Sequence, residues 1–200
     1  MLRYIAAAGA LALASTAAFA APEIGAPAPA FEGLTTRGEK ISLADFRGRN
    51  VVLEWTNHEC PFVVKHYETG NMQKTQAAVK EEGAVWITVI SSAPGKQGHV
   101  SAAEADALSA ARNAAPDHVV LDPTGEIGMA YAAKTTPHMY VVDASGTLRY
   151  DGAIDDKPST NHASVEGARN YVLAAFEAVR TGGEVAEAQT KPYGCSIKYP

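Results

Sequence analysis

Cys60 is the residue of this sequence best placed to do chemistry. The apolar run 51–53 predicts a buried strand, the polar residues 56–59 predict a turn, and the residues from Pro61 onward predict a helix. Proline fits the first turn of a helix, where its missing N–H leaves no hydrogen bond unmade. A helix N-terminus favours thiolate over thiol, because it concentrates unpaired N–H groups and partial positive charge. The sequence therefore predicts a reactive nucleophile at Cys60.

The helix that follows Cys60 supplies neither a base nor a second thiol on the same face. At about 100° per residue, Val63 shares the face of Cys60, whereas His66 lies roughly 240° around the helix. Activation of the thiol must therefore come from the helix end, from His58 or Glu59, or from another part of the chain.

Glu54 interrupts the apolar strand that leads to Cys60. In a strand buried on both faces, its carboxylate would be desolvated, its pKa would be raised, and it could relay protons to the thiol. The alternative is that side chains alternate along the strand and Glu54 faces water. The run Val51–Leu53 favours burial on both faces, which would exclude exposure to water and leave the relay as an open role for Glu54.

The segment 51–63 resembles the active-site strand and helix of the thioredoxin superfamily, and most closely its redoxin group, the alkyl hydroperoxide reductase/thiol-specific antioxidant (AhpC/TSA) family. The resemblance covers roughly Gly25 to Ile154 and implies a thioredoxin-like fold. It places Cys60 on the attacking cysteine and Glu54 on the buried acidic residue of thioredoxins.

Two departures from the family patterns bear on the reaction. Val63 stands where thioredoxins carry the second cysteine of a CxxC motif, which removes the adjacent resolving thiol. Asn57 stands where peroxiredoxins carry Thr or Ser, with Thr56 one place earlier. The chain therefore matches neither the thioredoxin dithiol nor the peroxidase motif fully.

Pro137 begins a second informative stretch, Thr135–Asp143, in which a proline precedes a β-rich run. The resemblance implies that Pro137 is cis and lies beside Cys60, and that Thr136 contacts the backbone of a substrate. The alternative is an ordinary trans proline at the start of a strand, since cis bonds are a small minority.

The predicted elements occur in the order strand, helix, strand, helix, strand, hairpin, helix. This order favours an α/β fold with a central mixed β-sheet and helices on both faces. Residues 31–42 predict an N-terminal β-hairpin extension, and a capping box at Ser101 predicts a helix to about Ala114. Apolar residues at helical spacing predict an amphipathic helix from Ala163 to Val179.

Residues 1–20 have the composition of a secretory signal peptide. Arg3 supplies the positive charge, an apolar region follows, and Ala18-Phe19-Ala20 fits a small-x-small cleavage site. A retained membrane anchor is the alternative, but the apolar run is short and rich in alanine. We therefore predict a periplasmic or secreted protein, cleaved near Ala20, in a compartment where disulfides can form.

The composition predicts one globular domain after the signal peptide. Of the 200 residues, 46% are hydrophobic, which is enough for an ordinary core. The chain has 17 basic and 22 acidic residues and no basic patch, so nucleic acid is not an expected partner. We expect a single thioredoxin-like domain over 21–200, with 184–200 as a polar tail that carries Cys195. No other segment is apolar enough to cross a bilayer, so no membrane association is expected after cleavage of the signal.

The leading functional hypothesis is an exported thiol oxidoreductase without a cofactor. Cys60 would attack a peroxide, giving a sulfenic acid, or a disulfide, giving a mixed disulfide. Cys195 would then resolve either intermediate, from the same subunit or from a second one, and a thiol reductant would restore the enzyme. Pro192 and Gly194 favour a bend or mobile loop that could bring Cys195 over the site.

Two alternatives remain open at this stage. A pair of cysteines in an exported protein commonly forms one structural disulfide, which stabilises by about 2–5 kcal/mol. A copper-binding module is the other alternative, although the sequence contains no CxxC motif. Its available ligands are His58, Cys60, His66, His138 and Cys195.

Overall fold

The computed structural model describes residues 21–200, so the predicted signal peptide lies outside the described residues. Strands and α-helices alternate along most of this range. The elements are β1 (Glu32–Thr35), β2 (Lys40–Ser42), β3 (Val51–Trp55), α1 (Pro61–Glu68), α2 (Asn71–Glu81), β4 (Val85–Ile90), α3 (Ala102–Ala111), β5 (His118–Leu121), α4 (Glu126–Ala130), β6 (Thr135–Thr136), β7 (His138–Val142), β8 (Leu148–Gly152), α5 (Tyr171–Arg180) and β9 (Cys195–Ser196). Short 3₁₀ helices cover Leu43–Phe46 and His162–Val165.

Seven strands form one mixed sheet in the order β2-β1-β5-β4-β3-β7-β8. Strand β4 runs parallel to β3 and β5, whereas β7 pairs antiparallel with β3 and β8. The β1–β2 hairpin extends the sheet through antiparallel pairing of β1 with β5. Strands β6 and β9 form a separate antiparallel pair. The predicted mixed sheet and N-terminal hairpin are confirmed.

Helices cover both faces of the sheet, as predicted. Helices α1, α2 and α5 pack with Val52, Trp86 and Val141 on one face, and α3 lies on the same side over Ile90. Helix α4 and the 3₁₀ helix at 43–46 pack with Leu53 and Trp55 on the other face. All five residues of β3 are buried, so any ionisable side chain on this strand is desolvated.

The predicted helix from Ala163 to Val179 is wrong in its first half. A 3₁₀ helix ends at Val165, Gly167 then adopts a positive φ of 68°, and the α-helix starts only at Tyr171. Asn170 defines this start, because its side chain accepts a hydrogen bond from the Leu173 N–H at 3.0 Å. The apolar spacing continued upstream of the true cap, which made the helix look longer than it is.

The other helix limits agree with the local sequence signals. Ser101 and Glu104 form the predicted capping box, and α3 ends at Ala111, three residues before the predicted limit. Gly70, with a φ of 71°, separates α1 from α2 at the predicted break. Within residues 21–200, none of the helices combines the length and the apolar character needed to span a membrane.

Candidate thiol site

Cys60 lies at the junction of β3 and α1, where the sequence predicted it. The Asn57 side chain accepts a hydrogen bond from the Glu59 N–H at 2.9 Å, and the Asn57 carbonyl accepts one from the Cys60 N–H at 3.0 Å. This turn leaves Cys60 as the N-cap residue, with Pro61 in the first helical turn. The Cys60 side chain is fully buried, at 0% exposure. The strand-turn-helix prediction is therefore confirmed.

The C-terminal tail brings Cys195 next to Cys60. The Cys195 N–H lies 3.4 Å from the Cys60 sulfur, and the Cys60 thiol donates to the Thr136 carbonyl at 3.0 Å. Strand β9 pairs with β6 so that Cys195 lies opposite Thr136, and the Thr136–Pro137 peptide bond is cis, as predicted. Both cysteines are free thiols. Four of the five predicted site residues thus meet in one place.

The surroundings shift the pKa values of the two thiols in opposite directions. Burial acts to raise the pKa of Cys60, but hydrogen bonds from Cys195, from the Thr136 side chain and from the Val63 N–H outweigh it, so the net pKa is lowered. The Thr136 carbonyl opposes this shift, since it can accept a bond only from the protonated thiol. Burial and the neighbouring Cys60 raise the pKa of Cys195 to about 11. These surroundings therefore favour the thiolate at Cys60 and the protonated thiol at Cys195.

The polar neighbours of Cys60 in sequence do not supply this activation. Glu59 accepts a hydrogen bond from the Gly98 N–H at 2.7 Å, and His66 bonds to Tyr193 and Asn71. Over residues 21–200, no hydrogen bond links Cys60 to a side chain of His58, Glu59 or His66. The pKa of Cys60 is lowered mainly by the tail, which is the third source left open by the sequence.

Glu54 is fully buried, so the alternative in which it faces water is wrong. Its carboxylate accepts hydrogen bonds from the Tyr67 hydroxyl at 2.9 and 3.0 Å, from Trp86 Nε1 at 3.1 Å and from Thr88 Oγ1 at 3.2 Å. Burial raises the pKa of Glu54, and these bonds and the nearby Arg112 reduce that shift. None of these bonds reaches Cys60, so Glu54 is close to the thiol in sequence but has no direct bond to it.

Comparison with known proteins identifies the family. The model of the AhpC/TSA family matches residues 24–151, which is more than half of the chain. The chain belongs to the AhpC/TSA family. This membership supports a thiol oxidoreductase and agrees with the free, adjacent thiols of the site. A search of curated proteins found no match.

Solved structures with the thioredoxin-like fold resemble this AhpC/TSA chain. A hypothetical protein from Sinorhizobium meliloti 1021 is 22% identical, with a TM-score of 0.76 over 90% of this chain and 97% of that one. An uncharacterized conserved protein from Geobacillus kaustophilus is 24% identical, with a TM-score of 0.74 over 89% and 93%. A putative thiol:disulfide interchange protein DsbE from Chlorobium tepidum is 22% identical, with a TM-score of 0.54 over 78% and 99%. At these identities the likeness establishes the fold.

The described part of this AhpC/TSA chain contains no set of side chains placed to bind a metal ion. Residues 21–200 contain no group of three or more His, Cys, Asp or Glu side chains placed to hold an ion. His66 bonds to Tyr193, whereas His138 bonds to Asp151 at 2.8 Å on the other side of the sheet. His66 and His138, two of the three histidines that the sequence offered as ligands, are thus hydrogen-bonded apart from the two thiols.

A group of polar residues next to the thiols was not predicted from the sequence. Lys65 and His66 on α1 are fully buried, and both contact Tyr193, which lies two residues before Cys195. Asp155, 1% exposed, completes the group by accepting a hydrogen bond from Tyr193. The local signal was the pair Lys65-His66, which follows the apolar residues 62–64 of α1, and it does not identify the partners.

Ionisation of Glu54 is expected to destabilise the folded protein as the pH rises. Because folding raises the Glu54 pKa, its stabilising effect is complete below the unfolded-state value and is lost as the pH rises through the folded-state value. Glu54→Gln stays neutral, so its free energy of unfolding relative to wild type should increase with pH, by about 1.4 kcal/mol for each pH unit by which folding raises the Glu54 pKa. Urea unfolding from below pH ~4.3 to neutral pH measures this difference.

The control for this prediction removes an exposed carboxylate instead. Glu166→Gln changes the net charge equally but has no buried group to relieve. If the stability difference between Glu54→Gln and wild type stays flat across the range, as in the control, the Glu54 pKa is not raised by folding.

Proposed function

We propose that this AhpC/TSA chain is a thiol–disulfide oxidoreductase in which Cys60 attacks and Cys195 resolves. The observation that carries the proposal is the meeting of two free thiols beside Pro137, with the Cys195 N–H 3.4 Å from the Cys60 sulfur. The lowered pKa of Cys60 and the raised pKa of Cys195 assign the order of attack. A structural disulfide alone would not need this difference between the thiols.

The reaction proceeds in two exchanges. The Cys60 thiolate attacks one sulfur of the substrate disulfide, the substrate S–S bond breaks, and one substrate thiolate leaves and takes up a proton. Cys195 then loses its proton and attacks the Cys60 sulfur, which releases the second substrate thiolate. The substrate gains two electrons, and the protein is left with a Cys60–Cys195 disulfide. A thiol reductant restores both thiols.

The first exchange also activates Cys195 for the second. Burial, the hydrogen bond to Cys60 and the charge of Cys60 all raise the pKa of Cys195 in the reduced protein. Once Cys60 is part of a mixed disulfide, it carries no negative charge, so two of these three causes disappear. The pKa of Cys195 therefore falls after the attack by Cys60, when its thiolate is needed.

The substrate reaches Cys60 only when the tail moves. Cys60 has no exposed surface while β9 pairs with β6. Lifting β9 uncovers the sulfur together with the edge formed by Thr135 and Thr136. In this proposal the edge then binds the backbone of a disulfide substrate, with cis Pro137 beside the reacting sulfur.

Glu54 enters the proposal as a proton relay. Its buried carboxyl, with a raised pKa, holds a proton at a higher pH than an exposed glutamate does. Its hydrogen bonds go to Tyr67, Trp86 and Thr88, so transfer to the thiols requires an intermediate carrier such as water. A pH–rate profile that is the same in Glu54→Gln and wild type would remove this role.

A count of released thiols tests the proposed role of Cys195. Reduced wild-type protein mixed with a chromogenic aromatic disulfide should release two coloured thiolates per chain, one from each exchange. Cys195→Ser should release one and stop at the mixed disulfide, which mass spectrometry detects on the Cys60 peptide. If Cys195→Ser releases two, or if the wild type stays as a mixed disulfide, Cys195 is not the resolving residue.

Peroxide reduction is the second candidate, and the match to the AhpC/TSA family favours it. The Cys60 thiolate would attack the O–O bond, giving a sulfenic acid and water, and Cys195 would condense with it to the disulfide and release a second water. Parallel rate measurements with hydrogen peroxide and with the aromatic disulfide separate the two reactions. A peroxide rate that exceeds the disulfide rate would make this candidate the function.

The reduction potential of the protein tests whether the disulfide is purely structural. A Cys60–Cys195 reduction potential below about −300 mV would favour a structural disulfide over a redox-active one.

Export to the periplasm or beyond remains part of the proposal, because residues 1–20 lie outside the described range. N-terminal sequencing of the protein recovered outside the cytoplasm should begin near Ala21.

A further inference from the structure

A buried polar cluster joins the tail to helix α1 next to the thiol site. We call it the Tyr193 cluster, and it consists of Lys65, His66, Asp155 and Tyr193. The first three of these side chains are buried, at 0%, 0% and 1% exposure. Such groups need partners, because an unpaired buried charge or polar atom is costly. Tyr193 supplies a partner to each of them.

The Tyr193 hydroxyl is the centre of this cluster. It donates to Asp155 Oδ1 and lies 3.0 Å from His66 Nε2 and 3.5 Å from Lys65 Nζ. Asn71 donates to the other ring nitrogen of His66 at 2.8 Å, so Nε2 carries the proton and donates to the tyrosine. The hydroxyl therefore accepts from α1 and donates to the segment that follows β8.

The Tyr193 ring adds contacts of its own with α1. It packs against Phe62 with a centroid distance of 5.7 Å, and Lys65 Nζ lies 5.3 Å from its centroid. Phe62 is the second residue after Cys60, and Tyr193 is the second residue before Cys195. The same pair of segments thus carries both the ring contact and the two thiols.

Hydrogen bonds on either side of Cys195 also attach the tail to the rest of the protein. Upstream, the Thr190 hydroxyl bonds to the Tyr150 hydroxyl at 2.6 Å. Downstream, the Ile197 N–H donates to the Lys134 carbonyl at 3.1 Å. The stretch between these points covers Cys60, and Tyr193 is the part of it that bonds to α1.

We propose that Tyr193 is the positioning residue of the thiol pair: it latches the tail onto α1, shields Cys60 in the reduced protein and returns Cys195 to Cys60 after the attack. The inference rests on the proposed function and extends it to the motion that the reaction requires. The latch opens when the hydroxyl leaves Asp155 and His66, and it closes when the bonds form again. It therefore acts through Cys195, without contact with the substrate.

The latch predicts opposite changes in the two exchanges. Tyr193→Phe keeps the ring and removes the hydroxyl, so the tail should be open more of the time. Because hydrogen bonds to charged groups commonly change an equilibrium about tenfold or more, the first thiolate should be released about tenfold faster. The second thiolate should be released about tenfold more slowly, since Cys195 returns less often. Rapid mixing of the reduced protein with the chromogenic aromatic disulfide resolves both phases.

Controls separate the latch from loss of stability and from failure of the proposed function. Tyr171→Phe removes a tyrosine hydroxyl outside the cluster and should leave both phases unchanged. Asp155→Asn weakens the hydrogen bond of the latch by changing its acceptor. It should show the two rate changes expected for Tyr193→Phe, and it replaces Tyr193→Phe in the test if that variant fails to fold. Urea unfolding monitors the global stability of each variant.

Three outcomes would overturn the latch. Unchanged phases in folded Tyr193→Phe would show that the hydroxyl does not hold the tail. A faster first phase with an unchanged second phase would make Tyr193 a shield that does not position Cys195, and acceleration of both phases would indicate general loosening. If Cys195→Ser keeps the second phase, the proposed function fails, whereas the first-phase test of the tail still stands.

Discussion

Cys60→Ser is expected to abolish disulfide reduction by this protein. The variant lacks the thiolate that opens the proposed reaction, so turnover should fall by roughly a thousandfold or more, to the uncatalysed rate. The remaining thiol, Cys195, cannot replace it in turnover, because no second cysteine is then left to resolve a mixed disulfide on Cys195. A coupled assay with a peptide disulfide and an external thiol reductant measures the loss.

The serine variant should keep the fold, which makes the loss interpretable. Serine is slightly smaller than cysteine, and its hydroxyl can still donate to the Thr136 carbonyl and accept from the Cys195 N–H. Circular dichroism and urea unfolding should therefore resemble those of the wild type. If folded Cys60→Ser retains more than a few per cent of the activity, the nucleophile has been assigned to the wrong residue.

Gly194→Ala is expected to displace Cys195 from the thiol site. Gly194 has a φ of 137°, a conformation that other residues rarely adopt, and a methyl group there would overlap the Thr136 carbonyl oxygen. That carbonyl belongs to β6, so relief requires β9 to separate from β6. Strain of this kind costs about 1–3 kcal/mol, which is roughly a 5- to 150-fold change in the closed population.

Peptide mapping after oxidation checks this prediction. With one equivalent of oxidant, the wild type should yield the Cys60–Cys195 disulfide, whereas Gly194→Ala should yield less of it and more mixed disulfide or over-oxidised Cys60. Gly183→Ala is the matched control, because its nearest new contact would be the Ala178 carbonyl at 3.4 Å. An equal disulfide yield in the two glycine variants would mean that the β6–β9 pairing does not hold Cys195 in place.

Helix and turn limits show which parts of the fold the sequence could predict. The capping box at Ser101, the break at Gly70 and the proline after Cys60 are each read within a few residues, and all three are confirmed. The prediction of a helix that starts at Ala163 was wrong, because it followed apolar spacing and overlooked the capping residue. Its periodic apolar residues were a weaker determinant of the helix start than Asn170, whose side chain caps the backbone.

The candidate site was only partly predictable, because some of its contacts join residues that are far apart in the sequence. The placement of Cys60 at a helix start follows from local propensity. The lowering of its pKa depends on Cys195, 135 residues further along the chain. Likewise, Lys65 and His66 look like surface residues until the tail covers them with Tyr193. A partner so far away is chosen by packing, which no local pattern records.

The sequence by itself therefore determined the order of the elements, the position of Cys60 at the junction of a strand and a helix, and the interruption of a buried strand by Glu54. These follow from periodicity, capping and turn chemistry, which act between neighbouring residues. Only the tertiary structure decided that β9 pairs with β6, that Tyr193 inserts beside α1 and that Cys60 is covered. Those contacts join segments from distant parts of the chain, so they exist only after the sheet has assembled and its helices have packed against it.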